Sequence, residues 1–506
     1  MYELVNSQEM KLYDKNTIET FGVPSAVLME RASLAIADAV AGRFRRKNTK
    51  ILIICGSGNN GGDGFAAGRI LFLRGYSVEF LAPMQKDRMT EETALQRRIV
   101  EAYHIPVFSQ LQGSSYDVII DALFGIGLSR PLEGALGSLV HTLNELKAYK
   151  IAADIASGIF ADTGEAPATA FYADLTVTFG FAKVGHLLYP GAEHTGELIV
   201  ADIGIGRQSF LGKKPMGRYV SRECVKELLP MRKAYSNKGT YGRVLIIAGS
   251  KQMAGAAYFA AKAAYAAGCG LVRVLTAKEN RNVLSAQLPE AIVNVYQTER
   301  EAADALETYL PWADAVLIGC GLSTDTVARS LVSGLLSHSE KKVVLDADAL
   351  NLLSEDMRLL ESFHGTCIVT PHLKEMSRLV HKTVEEVSKD LPKSAQSFAQ
   401  RYQAVCALKD ARTVIGLPEG GFIVNVTGNH GMATGGSGDA LAGYLAGFLA
   451  QNMPAGQAAA LGVCLHGMAG DLAAEEKGAF GMTASDILNQ LPYAAKRASE
   501  TEQSSD

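Results

Sequence analysis

The sequence predicts two α/β domains in tandem, the first a three-layer fold with helices on both faces of a parallel sheet. Three observations lead there. Apolar strand-like runs alternate with helix-like segments from residue 51 onward, a glycine-rich turn at 56–64 joins the first of these runs to a helix, and the alternation restarts beyond an aperiodic stretch at 204–220.

Taken in order, the first domain, residues 1–210, has strand-like runs at 51–55, 77–82, 118–123, 150–154, 175–179 and 197–202. Gly56-Ser-Gly-Asn-Asn-Gly-Gly-Asp-Gly64 ends the first run and leads into a helix expected at 65–74. Strand, glycine turn and helix N-terminus together make an anion site. Gly56, Gly58 and Gly61, with Glu79 beyond the next run, also satisfy a plain Rossmann dinucleotide fingerprint. Against that reading stand Asn59, Asn60 and Asp63, because a carboxylate in the turn would repel a pyrophosphate. Residues 211–220 collect Gly, Lys and Pro and read as a linker.

The second domain, residues 221–506, opens with a strand at 243–248 and an Ala-rich helix at 255–268. Strands follow at 271–275, 315–318, 342–345 and 367–370. A later β-meander is expected to include 421–426, ahead of a helix starting near Asp439, and the tail from Ser499 is polar.

Composition bounds the function. With 506 residues and 48% hydrophobic content there is material for two cores. A net charge of -4, from 49 basic and 53 acidic residues, gives no electrostatic footprint for nucleic acid or anionic membrane. The seven cysteines have neither zinc nor redox spacing and read as buried thiols in a reducing compartment. No secretory signal or membrane span is expected, so the reading is a cytoplasmic protein.

Two further segments of the first domain end apolar runs with polar groups: Asp121 to Pro131, and Asp154-Ile-Ala-Ser-Gly158. Strand carboxyl ends converge on one crevice in an open α/β sheet, so Asn60, Asp121, Asp154 and Ser157 are expected to meet. Oxygen donors alone suit a hard cation, and a spare carboxylate suits acid–base work, although a lone aspartate at a strand end is more often a cap. Together these motifs resemble the epimerase domain that acts on hydrated NADH and NADPH, over most of residues 1–210 of this Rossmann-like domain. The resemblance implies a K+ held by Asn60, Asp121 and Ser157. It implies substrate contacts from Asn59, Asn60, Gly61, Gly62, Asp63, Gly125, Ile126, Gly127, Leu128, Ser129, Arg130, Pro131 and Asp154, with Asp154 catalytic. Ala156 stands where the family has proline, which loosens the unfolded chain by a few tenths to about 1 kcal/mol.

In the second domain, Asn429-His-Gly-Met-Ala-Thr-Gly-Gly-Ser-Gly-Asp439 precedes an apolar helix. Backbone N–H groups at its N-terminus would stabilise a transferring phosphoryl group while Asp439 takes a proton from the attacking hydroxyl; the plainer alternative is a helix cap. With Gly239 to Gly242, Gly319 to Leu322, Asp346 to Leu350 and Thr370 to Glu375, this segment resembles the ribokinase-like fold, in its branch that dehydrates hydrated NADH and NADPH. The resemblance implies that Ala256, Gly321, His372 and Asp439 line the substrate, with Asp439 catalytic. Lys409, Asp410, Ala411, Arg412, Thr413 and Gly438 would hold the phosphate donor, ADP with ATP as alternative, and Mg2+ would attend it. Glu375 is a candidate for orienting magnesium-bound water. Asp410 departs from the glycine usual after the lysine, a concern if φ > 0 is needed there.

The combined expectation is a bifunctional metabolite-repair enzyme with NADHX, NADPHX and ADP as small-molecule partners, no nucleic acid or membrane partner, and a homo-oligomeric state. A small-molecule kinase with an accessory domain and a nucleotide-binding scaffold are the competing readings.

Overall fold

The computed structural model describes residues 1–45, 48–113, 115–337 and 339–500. The chain packs as two compact units, Glu3–Gly217 and a second running from Arg218 onward that includes Met1 and Tyr2.

The strands of the first unit are β1 (Tyr2–Val5), β2 (Lys50–Cys55), β3 (Ser77–Leu81), β4 (Val107–Phe108), β5 (Val118–Ala122), β6 (Tyr149–Ala153), β7 (Leu175–Phe179), β8 (Ala182–Lys183) and β9 (Glu197–Ala201). Among the described residues, a seven-stranded sheet of order β4-β3-β2-β5-β6-β7-β9 forms, every pair parallel. Side-chain alternation sorts the strands' apolar residues onto two faces. Ile51, Ile53, Val118 and Ile120 pack with the helices Ser25–Arg43 and Asn59–Leu73, while Leu52, Ile54 and Ile119 pack with Val140 and Leu143 of the helix Gly134–Glu145.

One boundary differs from the sequence reading. The helix after β2 begins at Asn59, not at Phe65, so the glycines Gly61, Gly62 and Gly64 lie within its first turns. The cause is backbone approach: a Cβ at Gly61 would stand 2.1 Å from the Gly56 carbonyl oxygen. Close packing of helix onto strand therefore overrides glycine's poor helix propensity.

The second unit carries β10 (Gly217–Val220), β11 (Arg243–Ile247), β12 (Leu271–Ala277), β13 (Ile292–Tyr296), β14 (Ala315–Ile318), β15 (Lys342–Leu345), β16 (Cys367–Val369), β17 (Val405–Leu408), β18 (Val414–Gly416) and β19 (Phe422–Asn425). Its sheet runs β13-β12-β11-β14-β15-β16-β17 in parallel, then β18 and β19 antiparallel, with β10 beside β19. β10 lies within the stretch expected as a linker; Val220 is fully buried there and accepts a hydrogen bond from the Val426 N–H at 3.2 Å. Two strands, β17 and β18, precede the 421–426 run and form the meander with β19. The helices Ala254–Ala266 and Ser437–Ala450 cross closely, since a Cβ at Gly443 would lie 2.0 Å from the Ala260 carbonyl oxygen. Small residues thus let two buried helices share one face of the sheet. No described helix is long and apolar enough to cross a membrane.

Candidate functional sites

In the first unit, the carboxyl ends of β2, β5 and β6 open onto a cavity of about 520 Å³ lined by Asn59, Asn60, Asp63, Asp154 and Lys183, and by Gly125 to Leu128. A Cβ at Gly125 would stand 3.3 Å from Asn60 Cβ and 3.5 Å from Asp154 Oδ2, which shows how tightly three separate segments converge. Beneath this floor Asp121 is 2% exposed and Ser157 1%. Asp121 Oδ2 accepts from the Ser157 N–H at 2.8 Å, and its Oδ1 from the Ser157 hydroxyl at 2.8 Å and the Leu123 N–H at 3.1 Å. Burial nevertheless pushes Asp121 up to about 6, the hydrogen bonds offsetting it in part. Asn60 is the anomaly: its side-chain oxygen and nitrogen are both buried without a partner. A buried amide costs free energy unless satisfied, so this one is set for something the chain does not itself supply.

Asp154 has φ +65°, a conformation that is costly for a non-glycine residue and held here by its N–H donating to the Val177 carbonyl at 2.8 Å. Its Oδ1 accepts from Lys183 Nζ at 2.6 Å and from the Thr178 hydroxyl at 3.0 Å. Burial opposes its ionisation, yet Lys183 outweighs burial and holds the carboxyl below the ordinary range. His186 braces both partners, with Nε2 at 2.8 Å from the Asp154 carbonyl and Nδ1 accepting the Lys183 N–H at 3.0 Å. Burial and Lys183 keep that imidazole near 4, hence neutral. Asp63 goes the other way: burial and the charges of Asp154 and Asp14 push it well above the carboxylate range. One cavity therefore holds an ionised carboxylate paired to a lysine and a second carboxyl biased toward its acid form.

Of the residues expected here, Gly61 and Gly62 are buried packing positions, and Ser129, Arg130 and Pro131 run exposed beyond the cavity lining. Lys183, Thr178 and His186 escaped the sequence reading. Lys183 had a signal, a lone cation between apolar residues just after β7, which must find a partner if buried.

In the second unit Asp439 occupies the first turn of the helix Ser437–Ala450, behind Gly436 at φ +94°. Ligand atoms of Cys320, Asp346 and Asp439 lie within 4.8 Å of one another. Burial and the Asp346 charge push Asp439 up to about 6. Asp346, fully engaged, accepts from Lys409 Nζ at 2.8 Å, from the Thr370 hydroxyl at 2.6 Å and from the Cys320 thiol at 3.6 Å. A Cβ at Gly438 would stand 3.5 Å from Lys409 Nζ, so cation and helix N-terminus face one point. Such a pairing suits a phosphoryl group.

A cavity of about 760 Å³ beside it is lined by His372, Lys409, Asp410, Ala411, Thr413 and Gly438 among others. Arg412 is not in this lining; its Nη1 donates to the Val426 carbonyl. Asp410 is not among the residues with positive φ, so aspartate stands there without backbone strain. Ala256 and Gly321 are not in this lining but lie against each other, a Cβ at Gly321 falling 2.8 Å from Ala256 Cβ. His372 caps the helix Leu373–Val380: its Nδ1 accepts the Glu375 N–H at 3.1 Å while Glu375 Oε2 accepts the His372 N–H at 2.8 Å. Glu375, pushed up to about 7 by burial, thus serves a capping box. Asp346, Cys320 and His466 were missed as site residues. Asp346 carried the same signal as Asp121 and Asp154, a carboxylate ending an apolar strand.

Family models match in two places: one described as NAD(P)H-hydrate dehydratase over residues 244–493, and one described as YjeF-related protein N-terminus over 25–185. A bifunctional NAD(P)H-hydrate repair enzyme of Moorella thermoacetica is 38% identical, over 98% of this chain and 97% of its own. That of Escherichia coli is 35% identical over 87% and 84%. A ribokinase-like superfamily protein of Enterococcus faecalis superposes with TM-score 0.51 at 32% identity, covering 56% of this chain and 98% of its own. The ADP/ATP-dependent NAD(P)H-hydrate dehydratase of Bacillus subtilis, co-crystallised with ATP/Mg2+, does so with 0.50 at 33%, covering 56% and 98%.

Proposed function

Because the chain belongs to the family of bifunctional NAD(P)H-hydrate repair enzymes, we propose that its two cavities act in series on one damaged cofactor. The first unit interconverts the R and S hydrates and the second dehydrates the S form. Hydration leaves a hydroxyl on a ring carbon beside nitrogen, so its loss gives a planar cation that can be rehydrated from either face. Departure of that hydroxyl needs a proton and its return needs one removed. Asp154 with Lys183, opposite the acid-biased Asp63, supplies both roles. The buried Asp154–Lys183 pair is the observation that carries this assignment.

K+ fits the first site through the unpartnered Asn60 oxygen together with Asp121 and Ser157, an all-oxygen set. When bound it supplies positive charge beside the substrate. In the second unit Asp439 takes the substrate hydroxyl proton, and the oxygen attacks the terminal phosphoryl of ADP. The bond to AMP breaks, and the ester then loses inorganic phosphate and a neighbouring ring proton to restore NAD(P)H. Lys409 and the Gly438 end of the helix neutralise the transferring group. Asp346 and Glu375 are already engaged within the chain, so Mg2+ fits as an ion carried mainly by donor phosphates and water, where it supplies charge neutralisation. The described cysteines are all free and buried, in keeping with a cytoplasmic setting.

The decisive experiment mixes hydrated NADH with the protein and ADP or ATP and follows recovery of reduced-nicotinamide absorbance. Full recovery of both epimers is expected with donor; recovery stalling at one epimer refutes the first activity, and none refutes the second.

A further inference from the structure

His186 is buried and stands in the first turn of the short helix Val184–Leu187, which opens directly after Lys183. The Lys183 backbone N–H donates to its Nδ1 at 3.0 Å, and its Nε2 lies 2.8 Å from the Asp154 carbonyl oxygen. A backbone N–H only donates and a carbonyl oxygen only accepts, so these two contacts fix the ring as the neutral Nε2–H tautomer. The third helical position, which His186 holds, is where Glu or Gln commonly reaches back to the N-cap N–H. Histidine does this with Nδ1 and has a second nitrogen left over, which here meets the backbone of Asp154.

Asp154 is a residue that needs holding. Its backbone sits at φ +65°, with its N–H donating to the Val177 carbonyl at 2.8 Å and its own carbonyl accepting from His186. Its Oδ1 is taken by Lys183 Nζ and the Thr178 hydroxyl, and Lys183 Nζ donates further to Thr178 Oγ1 at 2.7 Å and to the Phe179 carbonyl at 3.1 Å. Among the described residues no hydrogen bond reaches Asp154 Oδ2. That oxygen lies 3.5 Å from where a Cβ on Gly125 would stand, beside the loop that lines the cavity, and is the one left to meet a substrate.

Building on the epimerase reading above, we infer that His186 is a positioning residue of the first reaction: as one fixed tautomer it ties the Lys183 backbone to the Asp154 backbone and keeps Asp154 Oδ2 turned into the cavity. Without the Nε2–H donor the Asp154 carbonyl loses its buried partner, and the residue is free to leave its left-handed conformation, which swings the carboxylate off the reacting carbon. Lys183 stays close, because Thr178 and Phe179 still hold its Nζ. The loss is one of orientation, with the charges and the rest of the cavity lining in place, so turnover suffers and substrate binding does not.

Two uncharged substitutions separate the two nitrogens. His186→Asn places an amide oxygen where Nδ1 stands and keeps the helix cap, whereas His186→Gln carries an amide nitrogen to where Nε2 stands and keeps the donor to Asp154. The full chain is given the purified R hydrate of NADH without ADP, so that the second unit is idle, and formation of the S hydrate above the spontaneous rate is followed by chromatography. Circular dichroism at the assay temperature establishes that each variant is folded. His186→Ala and His186→Asn should lose about tenfold or more in kcat with KM within about twofold of the parent, and His186→Gln should regain most of that loss. ADP-dependent dehydration of the S hydrate should be unchanged in all three. A His186→Asn as fast as the parent overturns the inference, since the cap alone then suffices. So does a folded His186→Gln as slow as His186→Ala, or a loss that falls on KM alone. Where the variants unfold, a crystal structure of the parent chain with NADPH decides: a His186 turned away from Asp154, or Oδ1 in place of Oδ2 facing the nicotinamide ring, overturns the inference. If the parent does not interconvert the hydrates at all, the epimerase reading itself falls, and this inference with it.

Discussion

At Asp439 the same burial that makes a useful base also costs stability. Its carboxyl moves from 3.8 to about 6 on folding. Between those values the native state holds more protons than the unfolded one, so stability falls as pH rises through the window and the cost is complete above pH 6. Asp439→Asn should therefore be at least as stable as the parent at pH 8, by up to about 1–2 kcal/mol in melting experiments, with the difference vanishing near pH 4. Its dehydration rate should fall about a hundredfold or more while epimerisation persists, and the parent's kcat/KM for dehydration should show an acid limb near pH 6. A plain helix cap predicts the reverse, retained turnover with a stability change of about 1 kcal/mol or less, since asparagine caps a helix as well as aspartate does. Asp121 supports a separate expectation. Epimerisation should run faster in K+ than in a bulky organic cation, and Asp121→Ala should erase the difference; equal parent rates in both buffers refute the cation site.

Glycines at the start of the helix Asn59–Leu73 divide into those set by packing, such as Gly61, and those open to the cavity, such as its N-cap Gly58. Gly61→Ala would place a methyl 2.1 Å from the Gly56 carbonyl, whereas nothing lies within 4 Å of a Cβ at Gly58. The first substitution should destabilise the amino-terminal unit by about 1–3 kcal/mol or more, and the second by under about 1 kcal/mol. Separate unfolding transitions of the two variants measure it. The same helix explains a boundary the sequence concealed: Asn59 to Gly64 looks like a turn because glycine resists helix, and only the neighbouring strand shows why helix wins. Strands β4 and β8 were invisible for a simpler reason, since two residues carry no alternation.

The two units predict separable activities. Residues 1–217 alone should epimerise, and residues 218–506 alone should consume a single hydrate epimer. A shorter carboxy-terminal piece starting at 221 loses Val220, which is fully buried and bonded to Val426, and should melt at lower temperature than the piece starting at 218. Equal melting of the two pieces, or consumption of both epimers by either, contradicts this division.

By itself the sequence determined the α/β class, the two glycine-rich turns and the carboxylates at strand ends, because an aspartate closing an apolar run has few places to go except the crevice. Asp121 and Asp154 were legible on that ground, and Asp439 from the glycine-rich turn that opens an apolar helix. Tertiary structure alone decided what faces them. Lys183 meets Asp154 across 29 residues and Lys409 meets Asp346 across 63, and the unpartnered atoms of Asn60 and His466 are defined only once every neighbour is in place. Local periodicity encodes which residues share a face of one element; it carries no record of which distant element will stand within three ångströms, and the charge state of a buried group depends on that distance.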